Sequence, residues 1–477
     1  MSAETQAIDN LFLNFAGKPY ETIEAMPLSG SYRKYYRLKL QNQTYIAAFN
    51  ADLKENTAFI SYTQQFLKLG LNVPDILAED INNHVYLLQD LGNTTLLSYI
   101  SENEDRRGLS VEAIEMYKKV LSLLPVFQVK GGNTIDYSVA YPRHSFDKQS
   151  MMWDLNYFKY YFLKLAQIPF DEQKLEDDFQ AFSNFLLKAD CNHFLYRDFQ
   201  SRNVMVVNNE PYFIDYQGGR RGALQYDIAS LLFEAKTSIP PIQRELLLNY
   251  YLKELEHQIK FDKTEFTNYY YGYVYIRLMQ AMGAYGFRGL YEKKELFLQS
   301  IPKALVHLQW LRENITLPHQ FPELEKVWDS LIGSEYIRNL ASKAINLTVS
   351  INSFSYKRGI PVDETTNNGG FVFDCRALNN PGRYSEYKLL TGMDQPVKDF
   401  LTAEKSVADF LNNIFALVGQ SIDNYSSRGF KYLMVNFGCT GGQHRSVFSA
   451  ESLNAFIKSK YPNVNIVLRH REIEMKK

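Results

Sequence analysis

The segment "FLYRDFQSRNVMVVNNEPYFIDYQGG", residues 194–219, constrains this chain more than any other stretch. Val204 to Val207 and Tyr212 to Ile214 are apolar runs joined through Asn-Asn-Glu-Pro, so the spacing predicts a hairpin. Asp198 and Asn203 stand just before its first strand and Asp215 closes its second. Pairing the strands therefore brings two acids and an amide towards one point. That donor set suits Mg²⁺, a hard cation that takes oxygen ligands and bridges phosphates.

The interval of four residues between Asp198 and Asn203 is the one kinases use, with the Asp receiving a hydroxyl proton and the Asn holding metal. Asp198 is accordingly the expected base, Asn203 and Asp215 the expected metal ligands, and ATP and Mg²⁺ the expected cofactors. A lone loop Asp more often caps a turn. The joint pattern, with Arg197 before Asp198, is what favours catalysis. Asp227 in "YDIASLL" is expected to buttress the loop from a helix start. Upstream, "PLSGSYRKYYRLKL" offers the backbone of Ser29, Gly30 and Ser31 as a phosphate cover. "LLQDLGN" offers the backbone of Gln89 to Leu91 to an adenine edge.

A chain of 477 residues is too long for one ordinary core and calls for at least two domains. With 45% apolar and 22% charged residues the composition is globular, and a net charge of −1 argues against nucleic acid as a partner. Three distant cysteines form no disulfide framework. With no leader-like start and no membrane-length apolar run, the expectation is a soluble, cytoplasmic protein. Residues 23–89 alternate like paired strands with one helix ending at Gly70. Residues from about 111 to 189 read as helical, with Trp153, Tyr157, Phe158 and Tyr161 expected in the core. Helices continue to about 313, and Pro318 and Pro322 suggest a linker. From Asn346 short strands and glycine turns alternate with helices. The expectation is an α+β, protein-kinase-like bilobal domain over 1–330, followed by a smaller α/β domain over 346–477.

The motifs "SGSYRKYYRL", "LNVPDILAED", "VYLLQDLGNTTL", "YRDFQSRNVMV" and "FIDYQGGRRGALQYDIASLL", in this order, resemble the aminoglycoside phosphotransferase and choline kinase superfamily. They most resemble its N-acetylmuramate/N-acetylglucosamine 1-kinase (AmgK) branch. The resemblance implies phosphorylation of the anomeric hydroxyl of an amino sugar, in cell-wall recycling. Two departures stand out. "TYIAAFN" lacks the third-strand lysine of kinases, leaving Arg33, Lys34 or Lys54 to supply the charge. Tyr196 stands where the usual His precedes Arg-Asp. Arg220 and Arg221 would suit a lactyl carboxylate better than a cationic aminoglycoside or choline-like amine.

"SFSYKRGIPVD", "FVFDCRALNNPGRYSEYKLLTGMDQPVKDFL" and "FGCTGGQHRSV" resemble the C-terminal domain of the RapZ adapter family, which implies an amino-sugar phosphate ligand. "GCTGGQHRS" reads as a strand end, a glycine turn and a helix start, suited to an anion. Thr440, Gly441, His444 and Arg445 are carried over as its binding residues. Gly382 departs from the family, which has His there. Cys439, five residues and Arg445-Ser446 also match a cysteine phosphatase spacing, the rival reading of this loop. The basic end "RHREIEMKK" contains two acids and reads as a solvated tail rather than an RNA site. A regulatory or RNA-binding adapter with an inactive kinase scaffold is the alternative from another class.

Overall fold

The computed structural model describes residues 3–26, 33–105, 108–237, 239–292, 294–337, 347–363, 370–428 and 430–475. The chain divides into two compact units, Met1–Ser334 and Glu335–Lys477.

The first unit begins with helix α1 (Ala3–Ala16), which sequence reading did not anticipate. Strands β1 (Thr22–Ala25), β2 (Lys34–Leu40), β3 (Gln43–Phe49), β4 (Ile76–Asp80) and β5 (Val85–Gln89) form an antiparallel sheet in the order β1-β2-β3-β5-β4. Side chains alternate across a strand. Val85 and Leu87 therefore join Ile8, Leu11 and Phe12 of α1 on one face. Tyr86 points the other way and stacks on Phe59 of helix α2 (Leu53–Lys68) at 5.3 Å. Asp52 caps α2 by accepting from the Lys54 and Glu55 N–H groups, and Gly70 at φ +72° turns the chain out after it.

The larger lobe is mainly helical: α3 (Leu96–Glu102), α4 (Val111–Pro125), α5 (Gly132–Thr134), α6 (Lys148–Phe158) and α7 (Glu172–Leu186) come first. The two-residue strands β6 (Glu104–Asp105) and β7 (Gly108–Leu109) lie between α3 and α4. Strands β8 (His193–Leu195) and β11 (Arg220–Gly222) pair around the hairpin of β9 (Val204–Val207) and β10 (Glu210–Phe213). Helices α8 (Gln225–Leu232), α9 (Pro241–Glu256), α10 (Lys263–Tyr285), α11 (Glu295–Leu298), α12 (Ile301–Asn314) and α13 (Pro322–Gly333) follow.

Two sequence expectations need correction. Trp153 and Tyr161 are exposed, with Trp153 lying under the Arg143 guanidinium at 5.8 Å. Only Phe158 of the four aromatics is fully buried. Pro322 marks no linker. It opens α13, whose first N–H groups, from Glu323 and Leu324, are capped by the Asp178 carboxylate of α7. Trp328 of α13 is 1% exposed and stacks on Tyr275 of α10 at 4.0 Å. Helices α10 and α13 thus help complete this unit's core.

The second unit is a four-stranded parallel sheet. Strands β12 (Thr348–Ser355), β13 (Gly370–Asp374), β14 (Tyr432–Cys439) and β15 (Asn465–His470) run in the order β13-β14-β12-β15. Helices α14 (Gln395–Thr402), α15 (Lys405–Ser427), α16 (Arg445–Lys460) and α17 (Arg471–Glu474) accompany it. Val349, Ile351, Val435 and Phe437 share one core with Leu401, Val418 and Leu453. Every residue of β12 is buried, as expected of a central parallel strand.

Trp328→Ala should destabilise the first unit by about 3–5 kcal/mol, the range for emptying an aromatic core site. Chemical denaturation followed by tyrosine and tryptophan fluorescence measures it. A loss under about 1 kcal/mol would show that α13 is not integral to this core.

Candidate active site

The hairpin forms because Asn208 and Asn209 adopt left-handed backbone, at φ 52° and 63°, the geometry of a two-residue turn. Its register pairs Val207 with Glu210 and Val204 with Phe213. The three expected residues do meet. Asn203 Nδ2 donates to the Asp198 carbonyl at 2.8 Å and to Asp215 Oδ2 at 3.1 Å. Asn203 Oδ1 is then the amide atom left to reach a cation. Gln217 donates to the other Asp215 oxygen at 2.8 Å. Burial, and next the adjacent Asp198 charge, raise the Asp215 pKa. Among the described residues no group of three His, Cys, Asp or Glu is placed to hold a metal. The set here is smaller and all oxygen: one carboxylate, one amide and the neighbouring Asp198.

The loop carrying Asp198 is braced from below. Asp227, buried in the first turn of α8, accepts from the Tyr196 and Arg197 N–H groups at 2.8 and 3.1 Å and from Gln128 at 3.3 Å. Burial pushes its carboxyl up to about 7, against the pull of those donors. Arg197 sits at φ 81° and forks onto Asp154 at 2.7 and 2.8 Å. Tyr196 donates through its hydroxyl to the Ile214 carbonyl at 2.6 Å, which ties the loop to the residue preceding Asp215. Tyr in place of His thus still supplies a donor.

Among the described residues no hydrogen bond engages the Asp198 carboxylate, and it faces a cavity lined by Arg202, Lys236, Arg277 and Tyr285. The other acid in that wall, Glu234, accepts from the Ser201 N–H and hydroxyl through Oε2 at 2.8 and 2.7 Å, while its buried Oε1 has no hydrogen-bond partner among the described residues. The crowding of surrounding protein, and then Arg202, lower the Lys236 pKa. The arginines expected from sequence are elsewhere. Arg220 is buried, donates to the Gly218 and Tyr141 carbonyls, and only its field reaches Asp198. Arg221 stacks on Tyr137 at 4.4 Å.

Ser29, Gly30 and Ser31 lie outside the described residues. Gln89 does not offer its N–H to adenine, because that group donates to the Asp75 carbonyl at 3.0 Å. Leu91 is 9% exposed, beyond a turn held by the Arg37–Asp90 pair at 2.7 Å. Of the three cations left open by sequence, Arg33 is buried and bonds Glu55 of α2 at 3.1 Å.

In the second unit the loop 440–444 leaves the carboxyl ends of the parallel strands and enters α16, where open α/β sheets bind ligands. Ser355 Oγ donates to the Thr440 carbonyl at 2.7 Å. Thr440 and Gly441 are exposed. Gly442, at φ 65°, must lack a side chain because its Cβ would lie 2.4 Å from a Glu472 oxygen. His444 and Arg445 are not turned towards this loop's open side. His444 Nε2 bonds the Tyr387 carbonyl at 2.8 Å. Arg445, 5% exposed, donates to the Arg376 and Leu378 carbonyls at 2.8 Å each. Both residues fasten the segment 376–387 to the helix start. The buried Cys439 sulfur contacts Ser446 Oγ at 3.1 Å and accepts from Gly442 N–H at 3.2 Å. A phosphatase needs its arginine over that loop, and here it points away.

Two family profiles match. Residues 24–261 match the phosphotransferase enzyme family, and residues 347–474 match the RapZ C-terminal domain. The chain is a kinase-like phosphotransferase domain joined to a RapZ C-terminal domain. A "nucleotide-binding protein" of Paraburkholderia phytofirmans is 40% identical over 135 residues, 28% of this chain and 43% of that protein. One of Fervidobacterium nodosum is 38% identical over 127 residues, 27% and 43% respectively. The chain therefore spans less than half the length of these curated relatives. Among solved structures, choline kinase LicA from Streptococcus pneumoniae is 15% identical, with a TM-score of 0.42 over 64% of this chain and all of its own. The gentamicin complex of APH(2")-IIa is 14% identical, with a TM-score of 0.45 over 64% of this chain and 96% of its own.

The phosphotransferase domain thus unites Asp198, Asn203 and Asp215, as their spacing predicts. Sequence reasoning missed the Asp154 partner of Arg197 and the cavity cations, of which Arg202 lies in the same loop, Lys236 in the turn after α8 and Arg277 on α10. The RapZ C-terminal domain presents Thr440 and Gly441 but folds His444 and Arg445 inward.

Asp227→Ala should lower the stability of the phosphotransferase domain by about 2–5 kcal/mol, because it strands buried backbone donors. Urea denaturation reads this, and turnover should fall with it. A variant of wild-type stability would remove the brace from the account.

Proposed function

We propose that the phosphotransferase domain is an ATP- and Mg²⁺-dependent kinase of the anomeric hydroxyl of an amino sugar, N-acetylmuramate or N-acetylglucosamine, similar in activity to AmgK. Asn203, bridging the Asp198 backbone and the Asp215 carboxylate, is the observation that carries the reading. The all-oxygen donor set fits Mg²⁺, which Asp215 and Asn203 Oδ1 would hold. Bound there, the ion would neutralise charge on the β- and γ-phosphates.

Asp198 faces the cavity with its carboxylate unengaged, and so can receive the proton of a sugar hydroxyl placed there. As that proton leaves, the hydroxyl oxygen bonds the γ-phosphorus, the bond from γ-phosphorus to the bridging oxygen breaks, and ADP departs. Asp227 and Arg197 keep the base in position through the backbone of residues 196 and 197. Arg202, Lys236 and Arg277 outnumber the two acids of the acceptor cavity, Asp198 and Glu234, by one charge. That supports an acceptor with a carboxylate, as N-acetylmuramate has, over an aminoglycoside or choline-like amine. A cytoplasmic role in cell-wall recycling follows from such a substrate. No helix among the described residues is long and apolar enough to cross a membrane.

We further propose that the RapZ C-terminal domain binds an amino-sugar phosphate at the exposed backbone of Thr440 and Gly441, above the start of α16. In this reading His444 and Arg445 shape the loop.

Phosphate transfer from ATP across a panel of free amino sugars, with the product followed by ³¹P–¹H coupling, tests the kinase. The expected product is an acid-labile 1-phosphate. An acid-stable 6-phosphate, or transfer only to aminoglycosides, overturns the substrate assignment. Asp198→Asn should retain ATP binding and lose about 10²-fold or more in kcat.

Asp215→Ala should abolish Mg²⁺-dependent nucleotide affinity. Because the Asp215 pKa is raised and metal binds only the carboxylate, wild-type Mg·ATP affinity should begin to fall, as pH drops, above the range of an ordinary aspartate. Titration calorimetry at several pH values checks both statements. A pH-independent affinity down to about pH 4 would remove Asp215 from the metal site.

For the second domain, a Cβ at Gly441 meets open space, so Gly441→Asp adds a negative charge without a clash. It should weaken glucosamine 6-phosphate binding by about 10-fold or more. Calorimetry on the full chain that finds equal affinity would discard this loop as the site.

A further inference from the structure

Transfer from ATP needs a cation beside its phosphates as well as the metal site. Strand β3, "QTYIAAF", provides none. Three basic side chains flank this gap, and their surroundings separate them. Lys34 turns to the α1 side and pairs with Glu4 at 2.7 Å. Lys54 lies over the Tyr141 ring at 5.6 Å. Arg33, at 3% exposure, reaches inward from the start of β2.

Its guanidinium donates to Glu55 Oε2 at 3.1 Å and lies 3.4 Å from the Tyr35 hydroxyl. Glu55 is fixed in turn by Asn50 Nδ2, also at 3.1 Å. The guanidinium also lies 5.9 Å over Phe59, and Phe59 stacks on Tyr216, the neighbour of Asp215, at 5.3 Å. Arg33 is thus bonded to helix α2 and joined through the Phe59 ring to Tyr216, the residue next to Asp215.

We infer that Arg33, oriented by Glu55, is the residue that receives the phosphates of ATP in place of a third-strand lysine. The inference rests on the kinase reading above. A planar guanidinium can bond Glu55 along one edge and a phosphate along another, which an ammonium on the same short reach does less well. Glu55, which touches no nucleotide in this arrangement, is the positioning residue.

The test compares ATP with adenosine, which share a base and sugar but not the phosphates. Arg33→Met keeps an apolar stem against Phe59 and removes the charge. It should weaken ATP and ADP binding by about 10- to 100-fold and leave adenosine affinity within about twofold of wild type, with KM for ATP raised. Arg33→Lys should recover part of the ATP affinity, and it serves as the charged comparison if Arg33→Met folds poorly. Loss of ATP and adenosine affinity in equal measure would show a structural role and overturn the inference. So would ATP binding and turnover unchanged in Arg33→Met. A wild-type protein that binds ATP no better than adenosine would overturn the kinase reading along with it, whereas preference for ATP surviving in Arg33→Met overturns this inference alone.

Discussion

The catalytic loop stands on one buried carboxylate. Arg197 and Asp215 both hold positive φ without being glycine, conformations that cost of order 1–3 kcal/mol each. Asp227 offsets this by accepting two successive backbone N–H groups, while Asp154 takes the Arg197 guanidinium at bidentate distance. With residues 196 and 197 fixed in this way, Asp198 is aimed by the backbone and needs no side-chain partner. Its carboxylate stays available for a substrate proton.

The same segment is tied to the small lobe through helix α2. Thr63 meets the Tyr216 hydroxyl at 2.6 Å, Tyr62 donates to the Gly219 carbonyl at 3.1 Å, and Phe59 stacks between Tyr86 and Tyr216. A helix that carries Glu55 thereby reports its position to the residue beside Asp215. The positions of Glu55 and Asp215 are coupled through one packed aromatic column, because a close-packed core transmits displacement rather than absorbing it.

The second unit solves a similar problem with fewer charges. Its loop leaves the end of the central strand β14, which is paired on both sides, and the Ser355 hydroxyl and the inward side chains of His444 and Arg445 hold it there. An arginine placed by sequence at a helix start looks like an anion ligand. The carbonyls of Arg376 and Leu378 are nearer and need a donor, so the side chain turns to them.

What the sequence determined by itself was local. Hydrophobic alternation, the Asn-Asn turn and the spacing of Asp198, Asn203 and Asp215 define the hairpin and its three polar groups, since all are set within about twenty residues. The place of Asp227 in the first turn of a helix was legible too, although the loop donors it accepts from lie some thirty residues earlier. The texture change near Asn346 likewise announced a second unit built from strands and helices. The tertiary structure decided what depends on distant contacts. It made Pro322 the start of a core helix, since Asp178 and Tyr275 meet α13 only after folding. It placed Trp153 outside, as helical periodicity does not say which face a neighbour covers. It also buried Arg33 against Glu55 while pairing Lys34 with Glu4 and laying Lys54 over Tyr141, and set Arg202, Lys236 and Arg277 around the cavity in place of Arg220 and Arg221. A charge's role follows from the partner it meets, and those partners lie on elements that adjoin in space and not in sequence.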